Sequence, residues 1–223
     1  MSPRRPQADF FRLLKSHRAD HVFNPWGDRS ACDDLAGNGP EARCRRLAAH
    51  LSIQPSHLLI GEASGYQGCR ITGIPFTSER LIAEGAIPRL QAHRRRLSTR
   101  HIPWSEPSAT TVWSTLAALG IADSTILWNA FPWHPHSAGE LLSNRTPTSA
   151  ERAQGLPVLL ALLNLYPGAR VFAVGRQAEG ALLQIGRQAS PLRHPSMGGA
   201  SRFRRALRSA LSAQAQRIQC AMP

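Results

Sequence analysis

Three short apolar runs constrain this chain more than any other feature: "HLLIGEA" at 57–63, "STILWNAF" at 124–131 and "ARVFAVG" at 169–175. None alternates apolar with polar, so none suits a strand with one wet face. Unbroken runs of this length are what parallel strands covered on both faces need. A weaker run, "SPLRHP" at 190–195, is the fourth candidate. Helical patterns fill the intervals. "PEARCRRLAAHL" (40–51) has proline in its first turn, and "SATTVWSTLAALG" (108–120) opens on a serine cap and stops at glycine. "SAERAQGLPVLLALLNLYPG" (149–168) is long, with Pro157 marking a kink or a late start. "GRQAEGALLQIG" (175–186) and "SRFRRALRSALSAQAQRI" (201–218) complete the set. Strands alternating with helices predict an α/β fold, a three-layer α/β/α sandwich around a central four-stranded parallel sheet. Ligands on such sheets bind beyond the carboxyl ends of the strands. Here those ends are 61–65, 129–134 and 194–199.

The 223 residues suit one core, and no linker or repeat divides them, so 1–223 reads as a single domain. Residues 1–56 form a helical and loop extension packed on it. No run of about 18 apolar residues is present, and the N-terminus lacks the apolar stretch of a signal peptide. Cys32, Cys44, Cys69 and Cys220 are scattered without a C-x-x-C pair. That argues against zinc or iron–sulfur binding and fits a reducing cytoplasm, in a bacterium the compartment of the nucleoid. The spacing of "HPH" at 134–136, with no Cys or Asp beside it, makes a poor metal site. No metal and no cofactor are expected.

Charge narrows the partner. Lys+Arg is 27 against Asp+Glu 14, a formal +13, and almost all the bases are arginine. Arginine's planar fork suits phosphate oxygens, so nucleic acid is the favoured partner. Arg-rich composition inherited from a GC-rich genome is the bland alternative. The segment 94–108, "RRRLSTRHIPWSEPS", and the turn-rich segment 24–39 read as long loops. The first interleaves bases with an aromatic, which suits nucleic-acid contact through Arg94, Arg95 and Arg96 or a merely solvated surface.

Three stretches fall at the predicted strand ends in order: "GEASGYQGCRITGIPF", "WNAFPWHPH…NRTP" and "RHPSMGG". Together they resemble the uracil-DNA glycosylase superfamily, over roughly residues 57–205, and most closely the branch whose first motif reads Gly-Glu-Ala-Pro-Gly. The resemblance implies an enzyme that flips a base out of DNA and hydrolyses its N-glycosidic bond. Such a pocket needs an aromatic to stack on the ring, an amide to read its edge, and a donor for the oxygen that becomes anionic. By resemblance these are Phe76, Asn129 and His194, with Glu62 beside the hydrolytic water. Asn129 carries both donor and acceptor, matching uracil's O4 and N3–H. Gly61, Ala63, Gly65 and Tyr66 fall on the substrate side of the first motif, whose glycines let backbone approach the nucleotide. Ser64, Ser196 and Arg202 are candidate DNA contacts, Ser196 and the arginines Arg202, Arg204 and Arg205 through phosphate. Met197 is a candidate wedge for the gap left by the flipped base.

The departures from the family pattern are specific. Ser64 replaces the motif's proline, and "YQGCR" at 66–70 replaces an acidic run. The tyrosine that shields the best-known uracil pockets from thymine's methyl aligns with Gly65, with Tyr66 one step on. Trp133 stands at the place of a cluster cysteine. Asn144 stands where a related member carries a histidine that forms a covalent adduct, which disfavours covalent trapping here. The reading is a monomeric repair glycosylase acting on uracil in DNA and leaving an abasic site. Another deaminated base, hypoxanthine or xanthine, and a non-catalytic DNA-binding protein on the same scaffold stay open beside it.

Overall fold

The apolar runs do fold as parallel strands. The computed structural model describes residues 4–30 and 34–220, and the side chains of 7–30 and 34–213. Its elements are α1 (Arg4–Ser16), β1 (Val22–Phe23), α2 (Pro40–His50), β2 (His57–Ala63), α3 (Cys69–Thr72) and α4 (Glu79–Ala83). There follow α5 (Pro107–Ala118), β3 (Thr125–Phe131), β4 (His134–Pro135), α6 (Ser149–Leu165), β5 (Arg170–Val174), α7 (Arg176–Gln184), β6 (Ser190–Leu192) and α8 (Ala200–Cys220). β3, β2, β5 and β6 lie side by side in that order, all parallel. The four-stranded parallel sheet is the expected one.

Successive side chains of β2 explain why its run is unbroken. Leu58 and Ile60 enter a core built with α1, α6 and α7, while Leu59 enters a second core with α5 and α8. Both faces are dry, so the central positions Leu58, Leu59 and Ile60 are all apolar. β3 repeats the alternation, with Trp128 on the first side and Leu127 on the second.

One helix start differs from the sequence reading, and the late start allowed for a second does not occur. α5 begins at Pro107 with Glu106 at its cap, not at a Ser108 cap, because proline's fixed φ and missing N–H suit the first helical position. α6 runs from Ser149 through Pro157, so that proline does not delay the start. A reciprocal Thr148–Glu151 capping box fixes its first turn, and Arg145 clamps Glu151 from the side (2.6 and 2.7 Å).

The segment 24–39 is more than a loop. Asn24 Nδ2 donates to Leu14 O (3.0 Å) and His17 O (3.2 Å), closing the end of α1. Trp26 lies against Trp128 and donates through Nε1 to Gly73 O at 3.1 Å. Buried Arg46 donates through Nε to Thr72 O at 2.7 Å, and buried Arg43 pairs with Asp34 and donates to Pro25 O at 3.0 Å. The N-terminal part thus grips the chain just beyond the β2 turn. No helix among the described residues is long and apolar enough to cross a membrane.

Candidate active site

A cavity of about 940 Å³ opens at the carboxyl ends of β2, β3 and β6. Glu62, Ala63, Ser64, Gly65, Phe76, Asn129, His194, Ser196 and Met197 all line it. They come from segments 62–76, 129 and 194–197, far apart in sequence, and the parallel sheet brings them to one rim.

Gly61 acts by lacking a side chain. A Cβ there would lie 2.6 Å from Asn129 Oδ1 and 2.6 Å from Phe76 Cε2, inside van der Waals contact with both. The bare backbone therefore lets an aromatic ring and an amide converge on one spot. Phe76 holds its ring there with φ at +51°, a left-handed conformation unusual for a bulky residue and typical of functional sites. Asn129, buried at 3 % exposure, points Nδ2 toward Ser64 Oγ at 3.5 Å. The Ser64 hydroxyl donates in turn to Pro132 O. Ser64 was expected on DNA. Buried and occupied in this way, it orients the amide instead.

His194 sits 6.0 Å, ring to ring, from Phe76. Its Nδ1 accepts from the Ser196 backbone N–H (3.2 Å) and pairs with the Ser196 hydroxyl (2.7 Å). A nitrogen that accepts from a backbone N–H carries no proton, so the neutral ring bears its hydrogen on Nε2. Burial, and after it the neighbouring Arg193, hold the imidazole below its ordinary value, so the neutral form dominates at pH 7. Ser196, expected on phosphate, has its hydroxyl engaged with this histidine and sets its tautomer.

Glu62 lies half-buried at the cavity wall. Burial pushes its carboxyl above the ordinary carboxylate value, against the opposing pull of Arg152 and a hydrogen bond from Thr146. If Glu62 orients water as the resemblance implies, it must be ionised to do so and loses that function early on acidification. The excision rate is expected to fall on the acid side at a pH above 4.5, the ordinary glutamate value, and Glu62→Gln should remove that limb along with most of the rate. A pH–rate profile under single turnover checks it.

Met197 is 91 % exposed, with φ at +50°, at the tip of the turn after His194. An apolar side chain held out in a strained turn has the geometry of a wedge. Arg202, with Arg204 and Arg205, lies exposed on the first turns of α8, outside the cavity lining. Tyr66 was expected on the substrate side and is not there. Its ring turns away edge-on to Trp104 at 5.3 Å, drawn into the second core. Segment 94–108 is likewise only partly free. Arg96, though still partly exposed, is tied down by donating to buried Glu79 at 2.9 Å, whereas Arg94 and Arg95 are exposed.

The sequence reading missed what some lining residues do. Asn144 Oδ1 accepts the Tyr66 N–H at 3.0 Å and so fastens the β2 turn. Cys69 is buried, its thiol pushed up to about 12 by burial, so it is not a nucleophile. Glu106 lines the wall beside Cys69. Its only sequence signal was a carboxylate before a Pro-Ser helix start, concealed by reading Ser108 as the cap.

The family model of the Uracil DNA glycosylase superfamily matches residues 49–216. The chain belongs to the uracil DNA glycosylase superfamily. A solved structure described as wild-type Pedobacter heparinus SMUG2 is similar in fold, with a TM-score of 0.62 and 18 % identity over 94 % of this chain and 98 % of that one. The comparison with curated proteins gave no match. Within this glycosylase superfamily, the cluster-bearing branch offers one further test. Trp133 fills the cluster-cysteine place, buried, stacked on His17 at 3.6 Å and donating to Leu14 O at 3.0 Å. Among the described residues, Cys44 and Cys69 are unbridged, and no cysteine is placed at Trp133 to hold a cluster. Among the described residues no group of three or more His, Cys, Asp or Glu is placed to hold a metal ion.

Proposed function

We propose that this glycosylase excises uracil from DNA by hydrolysing the N-glycosidic bond, acting as a monomer without a cofactor and leaving an abasic site. The observation that supports it is the convergence of Phe76, Asn129 and His194 in one cavity whose wall carries Glu62. The flipped base stacks on Phe76. Asn129 reads O4 and N3–H, and the Nε2–H of His194 donates to O2 as negative charge gathers there. Glu62 orients a water toward the sugar carbon and favours its developing positive charge. Cys44 and Cys69, both unbridged, suit action on nucleoid DNA in a reducing compartment.

The test is a set of duplexes carrying one uracil, hypoxanthine, xanthine or T:G site, each followed by alkali. Strand scission at uracil, and only after alkali, is the expected result. Scission without alkali would mean a lyase, a preferred purine would move the substrate, and no excision at all would leave a DNA-binding scaffold.

The exposed arginines of α8 would grip phosphate. Replacing Arg202, Arg204 and Arg205 with alanine should lower the slope of log affinity against log salt by roughly 0.9 for each phosphate that is no longer neutralised. The weakening should be the same for undamaged and uracil-containing duplex, since phosphate carries no base information. Fluorescence anisotropy across a salt series reads it, and an unchanged slope would make this a solvated helix face.

A further inference from the structure

We propose that Glu106 closes the base pocket against thymine, taking the place of a shielding side chain that Gly65 does not supply; the proposal rests on the uracil reading above.

The order of groups around the cavity sets which atom of the base meets which wall. His194 neighbours Phe76, and Phe76 meets Asn129 over the bare Gly61. Asn129 leads to Ser64 by its amide, Ser64 hydrogen-bonds with Cys69, and Cys69 lies within electrostatic reach of Glu106. A uracil ring with O2 at His194 and its N3–O4 edge at Asn129 presents carbon 5 next along the same circuit. On this placement of the base, carbon 5 meets the part of the lining that Ser64, Cys69 and Glu106 supply. Gly65 lines the wall too, and a side chain there would meet only Asn144, at ordinary contact distance. Glu106 enters from the start of α5 and lays its Oε2 over Gly68, where any side chain would collide with it. The glycine at 68 is thus what admits the carboxyl to the wall.

The carboxyl is poorly satisfied in place. Oε1 accepts from the Ser108 hydroxyl at 2.7 Å, and among the described residues no cation offsets its charge. It also makes no capping bond to its own helix. The remaining oxygen, Oε2, has no protein partner among the described residues and is open to water entering the cavity. A base with hydrogen at carbon 5 leaves room for that water, whereas a methyl displaces it and strands a buried acceptor. Rejection of thymine then follows from desolvation as well as from bulk.

Single-turnover excision of U and of T, each opposite G, tests this in the full-length protein. The wild type should cut uracil and leave thymine. Glu106→Ser keeps a favoured helix cap while withdrawing the carboxyl. It should raise the thymine rate relative to uracil by roughly ten- to a hundred-fold, the worth of one stranded acceptor. Glu106→Gln, of equal size and still polar, should hold the wild-type ratio within a few-fold. Free thymine should inhibit the serine variant but not the wild type, while free uracil inhibits both. Should the serine variant not fold, Glu106→Asp, one methylene shorter, is held to the same ratio. An unchanged ratio, or an equal loss for both bases, would assign Glu106 a merely structural role and overturn the proposal. A wild type inert on uracil would instead overturn the proposed function itself.

Discussion

Replacing His194 with alanine is expected to slow single-turnover uracil excision by about a hundred- to a thousand-fold, the usual effect of losing one donor to a developing anion. The melting temperature should hardly move, because the ring's bonds are to Ser196 alone, within its own turn. The tautomer makes the prediction sharper. With the Ser196 N–H fixed on Nδ1, the Nε2 hydrogen is permanently presented to the cavity. Ser196→Ala keeps that backbone N–H and should therefore retain most of the rate. Near-normal excision by the His194 variant would remove the residue from the mechanism. A loss in Ser196→Ala as large as in His194→Ala would shift the tautomer's control to the hydroxyl.

The largest effect on stability is expected at Glu79, well away from the cavity lining. Its side chain has no solvent exposure and accepts from Leu97 N, Ser98 N, the Ser98 hydroxyl, Trp104 N and Arg96 Nε, between 2.6 and 3.0 Å. One carboxylate thus gathers the whole of the segment from 96 to 104 onto the first turn of α4. Burial alone would push this carboxyl up. Donation from Ser98, Leu97, Arg96 and Trp104 outweighs it and holds the group below its ordinary 4.5. A depressed folded-state value gives stability that is complete above the unfolded value and is lost as pH falls through the folded one. Leaving buried donors such as Leu97 N, Ser98 N and Trp104 N without their acceptor typically costs about 1–3 kcal/mol for each group. Glu79→Ala should lose at least that much in denaturant melts at pH 7, and the gap from wild type should narrow below about pH 4.5 as the wild-type carboxyl is protonated. A gap that persists undiminished into acid would mean that packing, not charge, holds the segment.

Most of the architecture was legible because parallel strands covered on both faces leave an unbroken apolar run, and these runs end at functional positions. β2 spans the expected residues, β3 starts one residue late, and β5 is one residue shorter at each end. Asn129 was conspicuous because an amide closing such a run needs a reason to be buried. The failures share a physical cause, in that side-chain direction is set by contacts between segments. Tyr66 follows Gly65 directly, and only the presence of Trp104 decides that its ring leaves the cavity. Ser64 and Ser196 stand at the right positions, but whether a hydroxyl faces DNA or an internal acceptor depends on Pro132 O and on His194 Nδ1. Arg96 looks in sequence like its neighbours Arg94 and Arg95, and nothing local announces that Glu79 lies opposite it.

The buried arginines of α2 carry a consequence for what counts as the smallest working unit. Arg43 lies outside the family-matched region, which begins at residue 49, and so do Arg46 and Trp26. Yet Arg46 donates to Ile71 O and Thr72 O, and Trp26 to Gly73 O, at the point where the chain leaves the cavity turn for Phe76. A protein cut to the family-matched segment would bare the carbonyls of Ile71, Thr72 and Gly73, three consecutive peptides shortly before Phe76. It would also leave Phe76, already in a left-handed conformation, without the anchor that precedes it. The family-matched segment and the mechanically sufficient segment do not coincide in this molecule: the residues before 49 are the brace against which the matched part works.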